Sequence, residues 1–243
     1  MLRNFLDTKL LSKKNLYAQS LVLMLVILVT IVISSHLVFG YEKSVEPTIP
    51  MVLLLFFSLF QYILINLVNK LGVNDGVVFW LRWYPVYAFI TGGVSIYSDL
   101  AFLGGSKPHF YMFFHIVNTT LIILFLTFIF RDIFNSKETH TDHIWGATLA
   151  YFLLILLFSE AYEIITIYNP GYLGKSYVMG LPNYVHCIMF SVNTMSGLDS
   201  LYPDANMLLR SIASLENVVG NLFLVIILGR LLSHPLKVQG SED

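Results

Sequence analysis

The stretch between residues 181 and 232 limits the folds open to this chain more than any other part. It begins with a short apolar segment, residues 183–194, entered through Pro182, and proline is common at the first positions of a helix. About 12 helical residues cover only ~18 Å, whereas the hydrocarbon core of a bilayer is ~30 Å thick. A polar, glycine-containing loop, residues 195–200, and a membrane-length apolar stretch, residues 208–232, follow. This order predicts a re-entrant pore loop, because irregular backbone at membrane depth requires protein or water around it.

The remainder of the chain is apolar enough to lie largely within a membrane. Hydrophobic residues make up 56% and charged residues 12% of the chain, against roughly 25% charged in soluble domains. The mean hydropathy is +0.73. Apolar stretches of helical length precede the re-entrant segment at residues 21–39, 51–68, 77–97, 110–130 and 144–165. Together with residues 208–232, they predict an all-α membrane protein with six transmembrane helices plus a re-entrant pore helix and its loop.

Lysine and arginine positions predict the orientation of these helices. A cytoplasmic N-terminus places most of them on the cytoplasmic side: Arg3, Lys9, Lys13, Lys14, Lys70, Arg82, Arg131, Lys137, Arg230 and Lys237. The others then lie outside: Lys43, Lys107, Lys175 and Arg210. Because cytoplasmic loops carry the excess of positive charge, we expect a multi-pass protein of the cell (inner) membrane with both termini in the cytoplasm.

The first four predicted helices lack the charges of a voltage sensor. Voltage sensing requires several cations along one helix, because each contributes ~2.3 kcal/mol per 100 mV. The fourth stretch, residues 110–130, has no Lys or Arg, and the third has Arg82 alone. We therefore expect residues 1–140 to form a structural four-helix domain and residues 141–243 to form a pore domain. Polar residues of the fourth helix are explained by interhelical hydrogen bonds: His115, Asn118, Thr119 and Thr120.

The pore region resembles a known family. Residues 194–203 read T-M-S-G-L-D-S-L-Y-P, against a family pattern T-T-V-G-Y-G-D-x-x-P, and residues 208–220 are similar to an inner helix with the pattern L-x-R-S…L-E-x-x-x-G. Over residues 141–243 the chain thus resembles tetrameric potassium channels, particularly bacterial members with four helices ahead of the pore. The resemblance implies a homotetramer surrounded by membrane lipid. It implies potassium or sodium as the permeating ion and no cofactor.

The resemblance assigns the ion filter to one run of residues: Thr194, Met195, Ser196, Gly197, Leu198, Asp199 and Ser200. Thr194 ends the pore helix, where capping or packing is its expected role. Met195 replaces a threonine whose hydroxyl binds an ion, and a thioether is a poor ligand for a hard cation. Leu198 replaces a tyrosine that buttresses the filter, so we expect a looser loop. Ser196, Gly197 and Leu198 can still present carbonyl groups if the backbone keeps the alternating conformation of the family.

Asp199 stands where the family has a glycine. Four copies would place four carboxylates around one axis, and acidic rings favour cations. Proximity of like charges would raise the pKa of some members of such a ring. The alternative is that Asp199 takes the place of the neighbouring family aspartate and bonds structure behind the filter. We favour the ring, because Ser200 already occupies that structural position.

The last helix carries the other candidate residues: Glu216, Asn217, Gly220 and Asn221. A carboxylate at the depth of Glu216 is costly without a partner, so we expect it to pack against the pore helix, beside Asn193 or Ser191. A protonatable gate is the second interpretation. Asn217 and Asn221, four residues apart, share one helix face and either line a watery cavity or bond across subunits.

Two further features of the pore domain have open or structural interpretations. Gly220 either permits a bend of the last helix or lets helices pack closely. Glu160 and Glu163 lie near the outer end of the fifth helix, where we expect them to face the vestibule or to bond the loop that follows.

Other classes of function find no support in the sequence. No nucleophile–base pair, phosphate-binding glycine loop or metal-ligand spacing occurs, so we expect no enzyme. A net charge of −1 argues against a nucleic-acid partner, and a single cysteine, Cys187, excludes an intrachain disulfide. We predict a channel for monovalent cations with weak selectivity between potassium and sodium. The alternative is a non-conducting membrane scaffold or sensor that keeps the pore fold with a filter plugged by Met195 and Leu198.

Overall fold

A computed structural model describes residues 13–39, 48–97, 107–135, 141–175, 179–198 and 202–232. Every regular element in these ranges is a helix: α1 Lys13–Phe39, α2 Thr48–Lys70, α3 Asp75–Leu81, α4 Tyr84–Tyr97, α5 Lys107–Asn135, α6 Thr141–Tyr168, α7 Leu181–Ser196 and α8 Met207–Leu232. Four segments are long and apolar enough to cross a membrane: Met51–Lys70, Pro108–Asn135, Asp142–Tyr168 and Met207–Ile227. The prediction of an all-α membrane protein is confirmed in this form.

The third predicted helix is interrupted. Residues 77–97 were expected to form one helix, but α3 ends at Leu81 and α4 begins at Tyr84. Pro85 explains the break, because proline has no N–H to donate and its ring clashes with the carbonyl four residues earlier, which here is that of Leu81. At the other end of α3, the side chain of Asn74 accepts a hydrogen bond from the Gly76 N–H at 2.8 Å.

The chain divides into two compact units that differ from the predicted division at residue 140. The first comprises α1 to α4, the end of α5 and the start of α6, together with the last residues of α8. In it, α2 packs against α1, α3 and α4. Tyr17 of α1 is fully buried, and its hydroxyl donates to Asp132 at 3.0 Å. A Cβ at Gly146 would lie 3.1 Å from the Tyr17 ring, so this glycine admits the tyrosine.

The second unit contains the N-terminal part of α5, most of α6, and α7 and α8 up to Gly229. Its buried core joins α6, α7, the start of α8 and the loops between them: Tyr162, Leu173, Cys187, Phe190, Tyr202, Ala205 and Leu209. The Phe190 ring packs edge-on against Tyr162 and Tyr202, with centroids 4.8 and 5.6 Å apart. These contacts hold α7 between α6 and the chain that leads into α8.

The loop after α6 packs directly against the loop before α8. The Asn206 N–H donates to the carbonyl oxygen of Tyr172 at 2.7 Å. Gly174 has a positive φ of 77°, and a Cβ there would lie 2.6 Å from the carbonyl carbon of Asp204. Only glycine therefore permits this close approach, which holds the loop before α8 against the loop after α6.

Candidate functional site

The short helix α7 continues two residues beyond its predicted end at Thr194. It terminates in a Schellman motif, in which the Leu198 N–H donates to Asn193 O at 3.1 Å and the Gly197 N–H donates to Thr194 O at 3.2 Å. Gly197 adopts φ 67° and ψ 18°, the left-handed conformation that this motif requires. The glycine that the resemblance places in the filter is therefore also the residue that ends the helix.

Three of the predicted filter residues consequently belong to the helix. The Thr194 hydroxyl donates to Phe190 O at 2.9 Å, and the Ser196 hydroxyl donates to Val192 O at 2.7 Å. The carbonyl oxygen of Met195 accepts from the Tyr151 hydroxyl at 2.9 Å. The alternating backbone expected for the filter is thus absent at Met195 and Ser196. Leu198 is 64% exposed, while the predictions for Asp199 and Ser200 concern positions outside the described residues.

The Met195 side chain packs against α8. It is 7% exposed, and a Cβ at Gly220 would lie 2.7 Å from its sulfur atom. The contact with Met195 therefore supports the interpretation that Gly220 allows close packing of α7 against α8. Because Met195 occupies the space above this glycine, its side chain is not among the exposed groups at the end of α7.

Glu216 connects three helices of this unit. It is fully buried, and its Oε2 accepts a hydrogen bond from the Tyr162 hydroxyl of α6 at 2.5 Å. The Ser191 hydroxyl of α7 lies within bonding distance of both Glu216 Oε1 and the carbonyl oxygen of Ile155, 2.9 Å away in the second case. Ser191 is thus the partner expected from the sequence, whereas Asn193 Nδ2 has no partner within the described residues. The contribution of Tyr162 was missed.

Glu160 is also fully buried, so the expectation that it faces a vestibule is wrong. Its Oε2 lies 2.6 Å from His115 Nδ1 of α5, and one of these two atoms carries the proton between them. Its Oε1 accepts from Asn118 of α5 and from the Tyr184 hydroxyl of α7, the latter at 2.6 Å. A carboxyl group with three donors is well satisfied away from water. Thr119, by contrast, bonds its own helix.

Glu163 is buried one turn further along α6, and the same correction applies to it. Its Oε2 accepts from Asn183 Nδ2 at 2.6 Å and from the Cys187 thiol at 3.3 Å. The Thr166 hydroxyl accepts a second hydrogen bond from Asn183 at 2.7 Å. Glu163 Oε1 has no partner within the part of the chain that the structure describes. Both glutamates therefore fasten α7 to α6 instead of facing the outside.

A second set of contacts holds the chain ahead of α8. The Tyr202 hydroxyl lies 2.8 Å from His186 Nδ1, and the Lys175 ammonium lies 4.7 Å from the centre of the Tyr202 ring. His186 belongs to α7, outside the four membrane-length segments, and burial together with the Lys175 charge lowers its pKa to about 4. The ring is therefore neutral at pH 7, and Tyr202 donates to it. Tyr202, which follows the predicted filter residues in the sequence, is thus held against α7.

The helix α8 has one polar face. Arg210, Ser214, Asn217 and Asn221 follow one another at spacings of four, three and four residues, which places them along one side. Arg210, Ser214 and Asn221 are exposed and Asn217 is half-buried, whereas the adjoining Glu216 is buried. Asn221 Nδ2 donates to Asn217 Oδ1 at 2.6 Å. A membrane-length helix in this unit therefore turns amide groups away from its own protein core.

The buried polar groups of this unit thus bind mainly one another. Within the described residues, no cluster of three or more His, Cys, Asp or Glu side chains is placed to hold a metal ion. Comparison with protein-family models, with curated proteins and with solved structures finds no match to this chain.

Proposed function

We propose that this chain is one subunit of a homotetrameric channel that conducts sodium and potassium comparably. The polar face of α8 carries the proposal. An unsatisfied polar group facing lipid costs several kcal/mol, yet Asn221 is exposed on a helix of membrane length. Its hydrogen bond to Asn217 uses only one donor of its amide. Water along a central path removes this cost, because it hydrates the amides that the pair of asparagines leaves unsatisfied.

The arrangement of α7 supports the same function. It has 16 residues, or ~24 Å at 1.5 Å per residue, and ends in a glycine cap followed by a short return to α8. In the proposed topology α1, α2, α5, α6 and α8 each cross the cell (inner) membrane. The helix α4 makes the third crossing, with α3 leading into it from the cytoplasmic side, and α7 enters and leaves from the outside. Both termini are then cytoplasmic, giving six crossings and one re-entrant helix.

In this channel fewer backbone carbonyl groups form the filter than in the potassium-channel family that the sequence resembles. Met195 and Ser196 are helical, and the Met195 carbonyl is already bonded to Tyr151. Gly197, Leu198 and Asp199 remain to face the ion. Discrimination between potassium and sodium depends on a well-formed carbonyl cage, so a short cage gives weak selectivity. A ring of four Asp199 carboxylates adds a preference for cations over anions.

One re-entrant segment per chain requires four chains to enclose a path. In this assembly the polar faces of four α8 helices line the cavity below the filter. Glu216, Glu160 and Glu163 act behind the path, as buried anchors of α7, and do not contact the ion. The exposed apolar residues of the same helix, such as Val225 at 69% exposure, then contact lipid or neighbouring subunits.

Ion flux through purified protein in liposomes tests the proposal. We expect comparable sodium and potassium uptake, little chloride uptake, and a tetramer by cross-linking. Asn221→Leu, which makes the polar face apolar, should reduce cation uptake at least severalfold. Leu215→Ala is the matched control, since Leu215 is 59% exposed on a different side of α8.

Two results would overturn parts of this assignment. A folded tetramer that passes no cation would favour the non-conducting scaffold or sensor. Full conduction by the Asn221→Leu protein would mean that the polar face of α8 does not line the path.

A further inference from the structure

The short helix α3 exposes large aromatic side chains on a membrane protein. Trp80 is 75%, Trp83 60% and Phe79 57% exposed, whereas Val78 is 2% exposed and packs inward. Trp80 follows Val78 by two residues, so it lies about 200° around the helix from the buried side. The helix α3 packs against α2 and α4, and Trp80 points away from the side of α3 that carries the buried Val78.

Two cations flank these tryptophans. Lys70 ends α2 and Arg82 follows α3, and both side chains are exposed. Neither makes an ion pair within the residues that the structure describes. One acidic residue, Asp75, is exposed in the first turn of α3, about 10 Å along the axis from Arg82 at 1.5 Å per residue. The segment from Lys70 to Trp83 therefore carries a net charge of +1.

In the proposed topology, the break between α3 and α4 places this segment at the cytoplasmic end of the third crossing. In one continuous helix Arg82 would lie more than a turn inside the hydrocarbon, where a cation is costly. With the helix interrupted at Arg82 and Trp83, α3 can lie along the surface. Tryptophan concentrates at the boundary between acyl chains and headgroups, and basic residues beside a membrane helix attract anionic lipid.

We propose that the segment from Lys70 to Trp83 is a binding site for an anionic phospholipid of the membrane. The Lys70 and Arg82 side chains contact the charged headgroup, while Trp80 and Trp83 lie at the level of the ester groups. Asp75 opposes this binding. The site is independent of ion conduction, so it stands or falls separately from the proposed channel.

Tryptophan fluorescence tests this site directly. The chain has three tryptophans, so Trp145→Phe leaves only the two of the proposed site. We would reconstitute this protein into vesicles of phosphatidylcholine and phosphatidylglycerol and compare quenching when one or the other lipid carries brominated chains. The ratio gives the affinity of the site for anionic over zwitterionic lipid. We expect it to exceed about five and to fall with rising salt.

Charge variants in the same background assign the binding to these residues. K70Q and R82Q should each lower the ratio up to about fivefold, and D75N should raise it. R210Q is the matched control, because Arg210 is an exposed arginine on α8 and should leave the ratio unchanged. If a glutamine variant fails to fold, two other results test the site. The lipid ratio of the parent protein should fall with rising salt, and that of D75N should exceed it.

Three results would overturn the site. The first is a ratio near one. The second is quenching by neither lipid, which would mean that the tryptophans face protein. The third is an equal decrease with R210Q, which would reflect the total charge of the protein.

Discussion

Removing the Glu160 carboxyl group should destabilise the protein strongly, because three donors depend on it. His115, Asn118 and Tyr184 all lie within hydrogen-bond distance of its two oxygens, and Glu160 itself is fully buried. Each buried donor left without a partner costs about 1–3 kcal/mol. Breaking a buried charged pair by removing one side costs about 3–5 kcal/mol. We therefore expect Glu160→Ala to lower the free energy of unfolding by about 3–5 kcal/mol.

Two companion variants separate the hydrogen bonds from the lost volume. Glu160→Gln keeps an oxygen for Asn118 and Tyr184, so its cost should be about 1–2 kcal/mol. His115→Ala combined with Glu160→Ala should cost less than the sum of the single variants by about 1–3 kcal/mol, since the second change removes a group already left unpaired. The matched control is Thr120→Ala on α5, because its hydroxyl bonds only the helix backbone.

Unfolding in mixed detergent micelles, followed by the loss of helical circular dichroism, measures these differences. A Glu160→Ala protein within about 1 kcal/mol of the parent would mean that the carboxyl group is hydrated rather than bonded. Strict additivity of the two alanine variants would refute the contact with His115. Either outcome would remove the main link between α5 and α6 in the second unit.

Three further predictions concern the channel. A cysteine at Pro170 and one at Ser241 should label from opposite sides of the membrane, with the native Cys187 silent because it is fully buried; labelling from one side would refute the topology. Conductance should depend at most weakly on voltage, because α5 carries no Lys or Arg between residues 108 and 130, and a steep dependence that survives Arg82→Gln would contradict this. Asp199→Asn should reduce cation-over-anion preference most at low ionic strength, where screening over ~10 Å is weakest, with the tetramer intact. A wild-type preference for potassium over sodium of tenfold or more, about 1.4 kcal/mol, would refute the account of the filter.

The overall class of the protein follows from the sequence alone. In lipid every backbone polar group requires a partner inside the same segment, so long apolar stretches without charge predict helices wherever they occur. Each membrane-length segment found in the structure overlaps one of the predicted stretches. The shortness of α7 was also readable, because a proline starts it and a glycine follows it. Its end was misplaced by two residues, since the Schellman motif uses Gly197 as the residue after the helix.

The break in the predicted helix at residues 77–97 could have been expected from one residue, Pro85, that a hydropathy profile does not distinguish. Pro85 forbids a regular helix through Leu81, but the apolar residues on both sides form one continuous run when only hydrophobicity is considered. The exposure of Trp80 and Trp83 depends on this break. This exposure is evident only from the structure, in which Val78 is the buried residue of α3.

The partners of the buried glutamates were decided by tertiary structure. Glu160 bonds residues 45 and 24 positions away, and Glu216 bonds residues 54 and 25 positions away. No local pattern encodes such contacts, because periodicity reports which face of a helix is apolar and not which helix lies beside it. From their position near a helix end, Glu160 and Glu163 were therefore expected to face the vestibule or to bond the loop that follows. Their burial becomes possible only when α5, α6 and α7 together supply the donors that replace water.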